Sequence, residues 1–122
     1  MSTPRTLSAA TAVTAVAVLL ASQAAAHAAL VRSDPAANAS VTPPKTISLT
    51  FSERLTPAFS GFEVVTGGGT KMPVKATFSS DHKSIQGAPT RPMTPGLYRI
   101  VWHAAASDDG HRTEGSLAFR VK

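Results

Sequence analysis

The sequence predicts an all-β domain, an antiparallel sandwich or small barrel of about seven strands. Two observations predict it. Apolar and polar residues alternate in short runs spaced ~8–12 residues apart, with turn-rich segments between them. No stretch after His27 sustains a helical apolar period, and nine prolines punctuate the chain.

The elements follow in order. Residues 28–32 form a candidate first strand, closed by the turn-rich SDPAANAS. Residues 45–52, KTISLTFS, alternate clearly, placing Ile47, Leu49 and Phe51 on one face. Residues 62–66 follow, with Phe62 and Val64 sharing a face, and the glycines at 67–69 make a turn. Residues 72–78 and 83–86 are shorter candidates joined through SSDH, and APTRPMTPG reads as a loop. Residues 97–104, LYRIVWHA, carry the strongest strand pattern. Tyr98, Ile100 and Trp102 face the core there, while Arg99, Val101 and His103 face the other way. Residues 115–122, GSLAFRVK, close the domain.

The N-terminus has a different logic. One basic residue, Arg5, precedes an apolar stretch over residues 7–20, and the segment ends SQAAAHA. Ala24 and Ala26 occupy the small-residue positions before a cut, so residues 1–26 are expected to be a removed signal peptide and residues 27–122 the domain. The apolar stretch falls short of the ~20 residues of a membrane span. Cleavage after Ala26 makes His27 the first residue, with a free α-amino group.

Composition narrows the chemistry. The chain has no cysteine, which excludes disulfides, thiolate metal sites and a cysteine nucleophile. The formal charge is +5, but the basic residues are scattered and form no stripe, so no nucleic-acid interface is expected.

The chemistry-bearing stretch is DDGHRTEG, residues 108–115. If extended, it points Asp109 and His111 to the same side. An N-terminal His27 offers two more donors, its α-amino nitrogen and its imidazole. The α-amino group has an ordinary pKa of ~7.7–8.0, so a metal displaces its proton readily near neutrality. Two nitrogens from His27, one from His111 and an oxygen from Asp109 make a set that suits tetragonal Cu(II), with Zn(II) as competitor.

Four segments in order resemble the CopC family of periplasmic copper-binding proteins. They are HAALVRSDPAANASV, FSERLTPAFSG, GLYRIVWHAAASDDGH and GSLAFRVK, which together span the whole expected domain. The resemblance implies a seven-stranded Greek-key β-barrel, cupredoxin-like or immunoglobulin-like. It implies one Cu(II) per chain, held by His27, Asp109 and His111, with Glu53 of the F-S-E segment as an outer carboxylate. It implies an exported, non-enzymatic monomer that buffers, carries or delivers copper, with a CopD-type inner-membrane protein as partner. Two other functions stay open: a histidine-brace copper monooxygenase, and a metal-free exported binding module.

Two departures matter. WHAAASDDGH is one residue longer than the family pattern, which makes Asp108 an alternative to Asp109. Where some members have a methionine-rich Cu(I) loop, this chain has Met72 and His82, with Met93 distant in sequence. A Cu(II)-only protein is therefore expected, with Met72 as strand packing and His82 and His103 as solvated residues.

Overall fold

The structure is a computed structural model and describes residues 27–122; the expected signal peptide lies outside the described residues. Alternation of apolar residues builds two sheets that face each other across one core. Strand β1 is Leu30–Asp34, β2 Ser40–Val41, β3 Ile47–Phe51, β4 Gly61–Thr66 and β5 Lys71–Met72. Strand β6 is Val74–Phe78, β7 Ser84–Pro89, β8 Gly96–Ala105 and β9 Arg112–Val121. One sheet has the order β1-β3-β7-β6 and the other β2-β9-β8-β4-β5.

The inward faces are those that alternation predicts. Ile47, Leu49 and Phe51 are buried in β3, Phe62 and Val64 in β4, and Tyr98 and Ile100 in β8. Ile85, Phe119 and Val121 complete the centre. Removing each such side chain from water contributes about 1.5–3 kcal/mol, which is the main force holding the sheets together. Strands β8 and β9 pair over their whole length, from Gly96 opposite Val121 to Ala105 opposite Arg112. This hairpin is the backbone of the larger sheet, and its closed end carries residues 106–111.

The structure corrects three expectations. The sheets do not close into a barrel: they remain an open sandwich, with β1 and β6 at the edges of one sheet and β2 and β5 at the edges of the other. The expected single strand over residues 72–78 is two strands. Pro73 lacks an N–H and cannot continue a ladder. Before it, Val64 pairs with Met72; after it, Val74 pairs with Pro89 in the other sheet. The chain changes layer at that proline. A short strand, β2, was also not expected, and it lies parallel to β9. The described residues thus form nine strands where about seven were expected.

Trp102 is half-buried rather than fully in the core. Its indole meets Phe51 edge to face, with ring centroids 5.2 Å apart. The indole also lies against Gly115, its cross-strand partner.

Candidate metal centre

The first described residues are fastened to the sandwich by an apolar anchor and a set of hydrogen bonds. Ala28 is wholly buried. Just beyond β3, the Ser52 N–H donates to the Ala29 carbonyl at 2.8 Å, and the Ala29 N–H donates to Ser52 Oγ at 2.9 Å. Ser52 Oγ also donates a longer bond, 3.4 Å, to the His27 carbonyl. From β9, Thr113 Oγ1 donates to the Ala28 carbonyl at 2.7 Å. His27 therefore leaves the protein surface at a defined place, half-buried.

The end of the β8–β9 hairpin comes to meet it. Ala106 bridges the buried Leu55, and its N–H donates to the His111 carbonyl at 3.0 Å. The Gly110 N–H donates to the Ala106 carbonyl at 2.9 Å, closing a turn. Gly110 takes a positive φ of 70°, which glycine adopts without the steric cost a Cβ brings. On the neighbouring segment Arg54 accepts the Ser107 N–H at 2.9 Å, and Thr56 donates its N–H to Ala105 at 2.9 Å. The FSERLT segment, residues 51–56, thus braces both approaches, one through Ser52 and the other through Arg54, Leu55 and Thr56.

Asp109 and His111 do come together, but by a turn rather than by extended backbone. The His111 N–H donates to Asp109 Oδ1 at 2.9 Å, the local bond that aspartate makes two residues on. The second oxygen, Oδ2, lies 3.6 Å from His111 Nδ1. His27 and His111 meet edge to face, with ring centroids 4.4 Å apart and planes at 88°. One donor atom each from His27, Asp109 and His111 falls within 4.8 Å of the others. The two imidazoles offer ring nitrogens and the carboxylate an oxygen, a donor set that fits a borderline divalent ion such as Cu(II) or Zn(II).

The electrostatics fit a ligand role. The His111 N–H bond holds the Asp109 carboxyl below the usual carboxylate value of 3.8, with charge on His111 and then His27 acting the same way against partial desolvation. The ionised Asp109 carboxylate is acceptor-only. Asp109 and His111 are exposed, so the centre opens to solvent.

The other sequence candidates lie apart from this trio. Asp108, one residue from Asp109, is exposed and outside the cluster. Glu53 is half-buried and also outside it, and among the described residues it takes part in no ion pair. The contacts from its segment to His27 and Ala29 come from Ser52. Sequence reasoning missed Ser52 and Thr113. Ser52 was legible within the same FSE segment; Thr113 required knowing that β9 begins as early as Arg112. His82 and His103 are half-buried rather than solvated. The His103 ring covers Gly61, its partner across the β4–β8 pair. His82 takes a positive φ of 57° and stands edge to face with Phe78 at 6.3 Å. Met72 and Met93 are both buried in the core.

Comparison with known proteins adds an independent line. The model of the CopC domain matches residues 30–122. A protein named copper resistance protein C from Xanthomonas campestris pv. juglandis is 43% identical over 124 residues, covering 93% of this chain and 94% of the relative. One of the same name from Pseudomonas syringae pv. tomato is 38% identical, covering 86% and 88%. Among solved structures, the crystal structure of PcoC, described as a methionine-rich copper resistance protein from Escherichia coli, superposes with a TM-score of 0.73. It is 35% identical, with 79% of this chain and 99% of that one covered. CopC from Methylosinus trichosporium OB3b gives a TM-score of 0.72 at 26% identity, covering 79% and 94%.

Proposed function

The chain belongs to the CopC family, and on that premise we propose that it is an exported Cu(II)-binding protein of copper resistance. It takes one ion per chain as cargo, at His27, Asp109 and His111. The observation that carries this reading is the meeting of those three donor groups within 4.8 Å, from opposite ends of the described chain.

Removal of residues 1–26 adds the fourth donor. The freed α-amino nitrogen and the imidazole of His27 close a chelate on one ion, with His111 and Asp109 supplying the remaining nitrogen and oxygen. That mixed nitrogen and oxygen set favours tetragonal Cu(II) over tetrahedral Zn(II). An anionic oxygen among the ligands also stabilises Cu(II) against reduction, which favours carriage over oxygen-activating chemistry. Glu53, one residue beyond Ser52, serves as an outer carboxylate.

The chain works as a periplasmic monomer that buffers or carries copper and hands it to an inner-membrane protein of CopD type. Exposure of Asp109 and His111 supports hand-over, because a partner can reach the ion without the sandwich opening. The methionine-rich description of PcoC does not extend to this chain. It has three methionines in all, and the two within the domain, Met72 and Met93, are buried. The ion carried is therefore Cu(II) and not Cu(I).

The test compares two forms of the protein: one starting at His27 and one with a single alanine before it. Cu(II) is titrated into each in competition with a chelator. The extended form loses a coordinating atom and should bind more weakly by more than the ~10–100-fold of a lost outer partner. Equal affinities would rule out the chelating N-terminus.

A further inference from the structure

We propose that Ser52 and Thr113 are positioning residues for copper: their hydroxyls set His27 at the distance and angle from which it reaches an ion shared with His111. The inference rests on the reading of His27, Asp109 and His111 as the Cu(II) site.

Strand β1 begins at Leu30, so residues 27–29 precede its ladder with β3. That ladder is itself irregular, since the register shifts between Leu30 and Arg32. Backbone pairing alone would leave the first residues free to fray, as chain ends do. Side-chain hydroxyls replace the ladder here. The Ala28 carbonyl is taken by Thr113 Oγ1 at 2.7 Å, and the Ala29 N–H by Ser52 Oγ at 2.9 Å. The His27 carbonyl receives the longer Ser52 bond at 3.4 Å. With the Ser52 N–H on the Ala29 carbonyl, three consecutive residues are each tied to the sandwich.

The two hydroxyls come from different sheets. Ser52 directly follows β3, and Thr113 lies in β9, two residues past His111. Thr113 also lies 3.5 Å from the Ala104 carbonyl, opposite which it stands in the β8–β9 register. The bond from Thr113 to Ala28 therefore links the peptide next to one imidazole to the strand that carries the other. Ligand geometry within a fraction of an ångström decides metal affinity, and outer partners that orient ligands typically contribute 10–100-fold. Between them Ser52 and Thr113 fix the Cα position of His27 from both layers of the sandwich, and burial of Ala28 leaves the peptide no room to slide.

The test uses the chain beginning at His27 and reads Cu(II) affinity by chelator competition together with the electron paramagnetic resonance spectrum of the bound ion. Thr113→Val keeps the side-chain shape and deletes the donor; Ser52→Ala deletes the other hydroxyl. Each should weaken binding about 10-fold and change the parallel copper hyperfine coupling, while the thermal midpoint of the apo protein stays above working temperature. Thr113→Ser should restore both affinity and spectrum. Wild-type affinity and an unchanged spectrum in Thr113→Val and Ser52→Ala, with binding lost in His27→Ala, would overturn the positioning role while leaving the site intact. Weak binding in Thr113→Ser would overturn it as well, because a hydroxyl at position 113 would then not be what holds the Ala28 carbonyl in place. Undiminished binding in His27→Ala would remove the site reading, and the positioning role with it.

Discussion

A Cβ on Gly115 would lie 2.5 Å from Cζ2 of Trp102, closer than non-bonded carbon atoms approach. The indole occupies the space that every other residue type would fill. Behind it stands Phe51, the last residue of β3 and the neighbour of Ser52. Gly115→Ala should therefore push the indole off its seat and cost about 1–3 kcal/mol, the usual range for overpacking. Chemical denaturation followed by Trp102 fluorescence checks this. An unchanged midpoint would mean that the indole has another place to go.

The choice between Asp108 and Asp109 is open to direct measurement. Asp109→Ala removes a group from the trio and should weaken Cu(II) binding by more than the ~10–100-fold of a lost outer partner. His111→Ala should do the same. Asp108→Ala should leave affinity within about twofold, since Asp108 stands outside the cluster. Glu53→Gln should fall between these limits if its carboxylate acts as an outer partner. Chelator competition ranks all four.

No soft metal site is expected from the methionines. Met72 and Met93 are 6% and 2% exposed, so their thioethers are committed to packing. Met72→Leu and Met93→Leu should each cost under about 1.5 kcal/mol, as volume-conserving core changes do. Neither should alter Cu(I) retention in a competition assay. A drop in Cu(I) affinity in either variant would reveal a thioether ligand.

Two acidic groups titrate lower than usual, and the cause differs between them. The Asp81 carboxyl is held down first by the Ser79 hydroxyl, 2.6 Å away, and then by the Lys83 N–H. Asp109 is held down first by the His111 N–H. A folded value below the unfolded one means that each bond stabilises the protein above the ordinary carboxylate range, around 3.8, and that this is lost as pH falls through the lowered value. Carbon-detected titration of the apo protein should place both midpoints below 3.8. Ser79→Ala should move Asp81 upward and leave Asp109 where it is.

Much of the fold was legible because alternation is a local signal. Ile47, Leu49 and Phe51 face inward as a period of two requires, and so do Tyr98 and Ile100. What alternation does not carry is which sheet a strand joins. Residues 72–78 read as one strand because the proline at 73 sits among β-forming neighbours, and only pairing partners reveal the change of layer. At the site, the residue types pointed to His27, Asp109 and His111 through the chelating power of an N-terminal histidine and the D-x-H spacing. The extended geometry assumed for that spacing was wrong: Gly110 turns the chain, and a local hydrogen bond brings the two side chains together. Ser52 stood in the legible F-S-E segment but was passed over for its neighbour Glu53, and Thr113 escaped because it reaches Ala28 from 85 positions away.

That span bears on how the centre comes into being. The β8–β9 hairpin needs only a short turn, so Asp109 and His111 meet through local structure. His27 has to be delivered from the far side of the chain, and the entropy of closing so long a loop is met only once the intervening strands have packed. A peptide spanning β8 and β9 alone would present two of the three groups. A chain with the intervening strands deleted would carry all three groups and never bring them together. Full chelation is thus a readout of completed topology, and copper, by binding the finished arrangement more tightly than the two nitrogens of His27 alone, would act as a selective stabiliser of it, raising the unfolding midpoint as the free ion concentration rises.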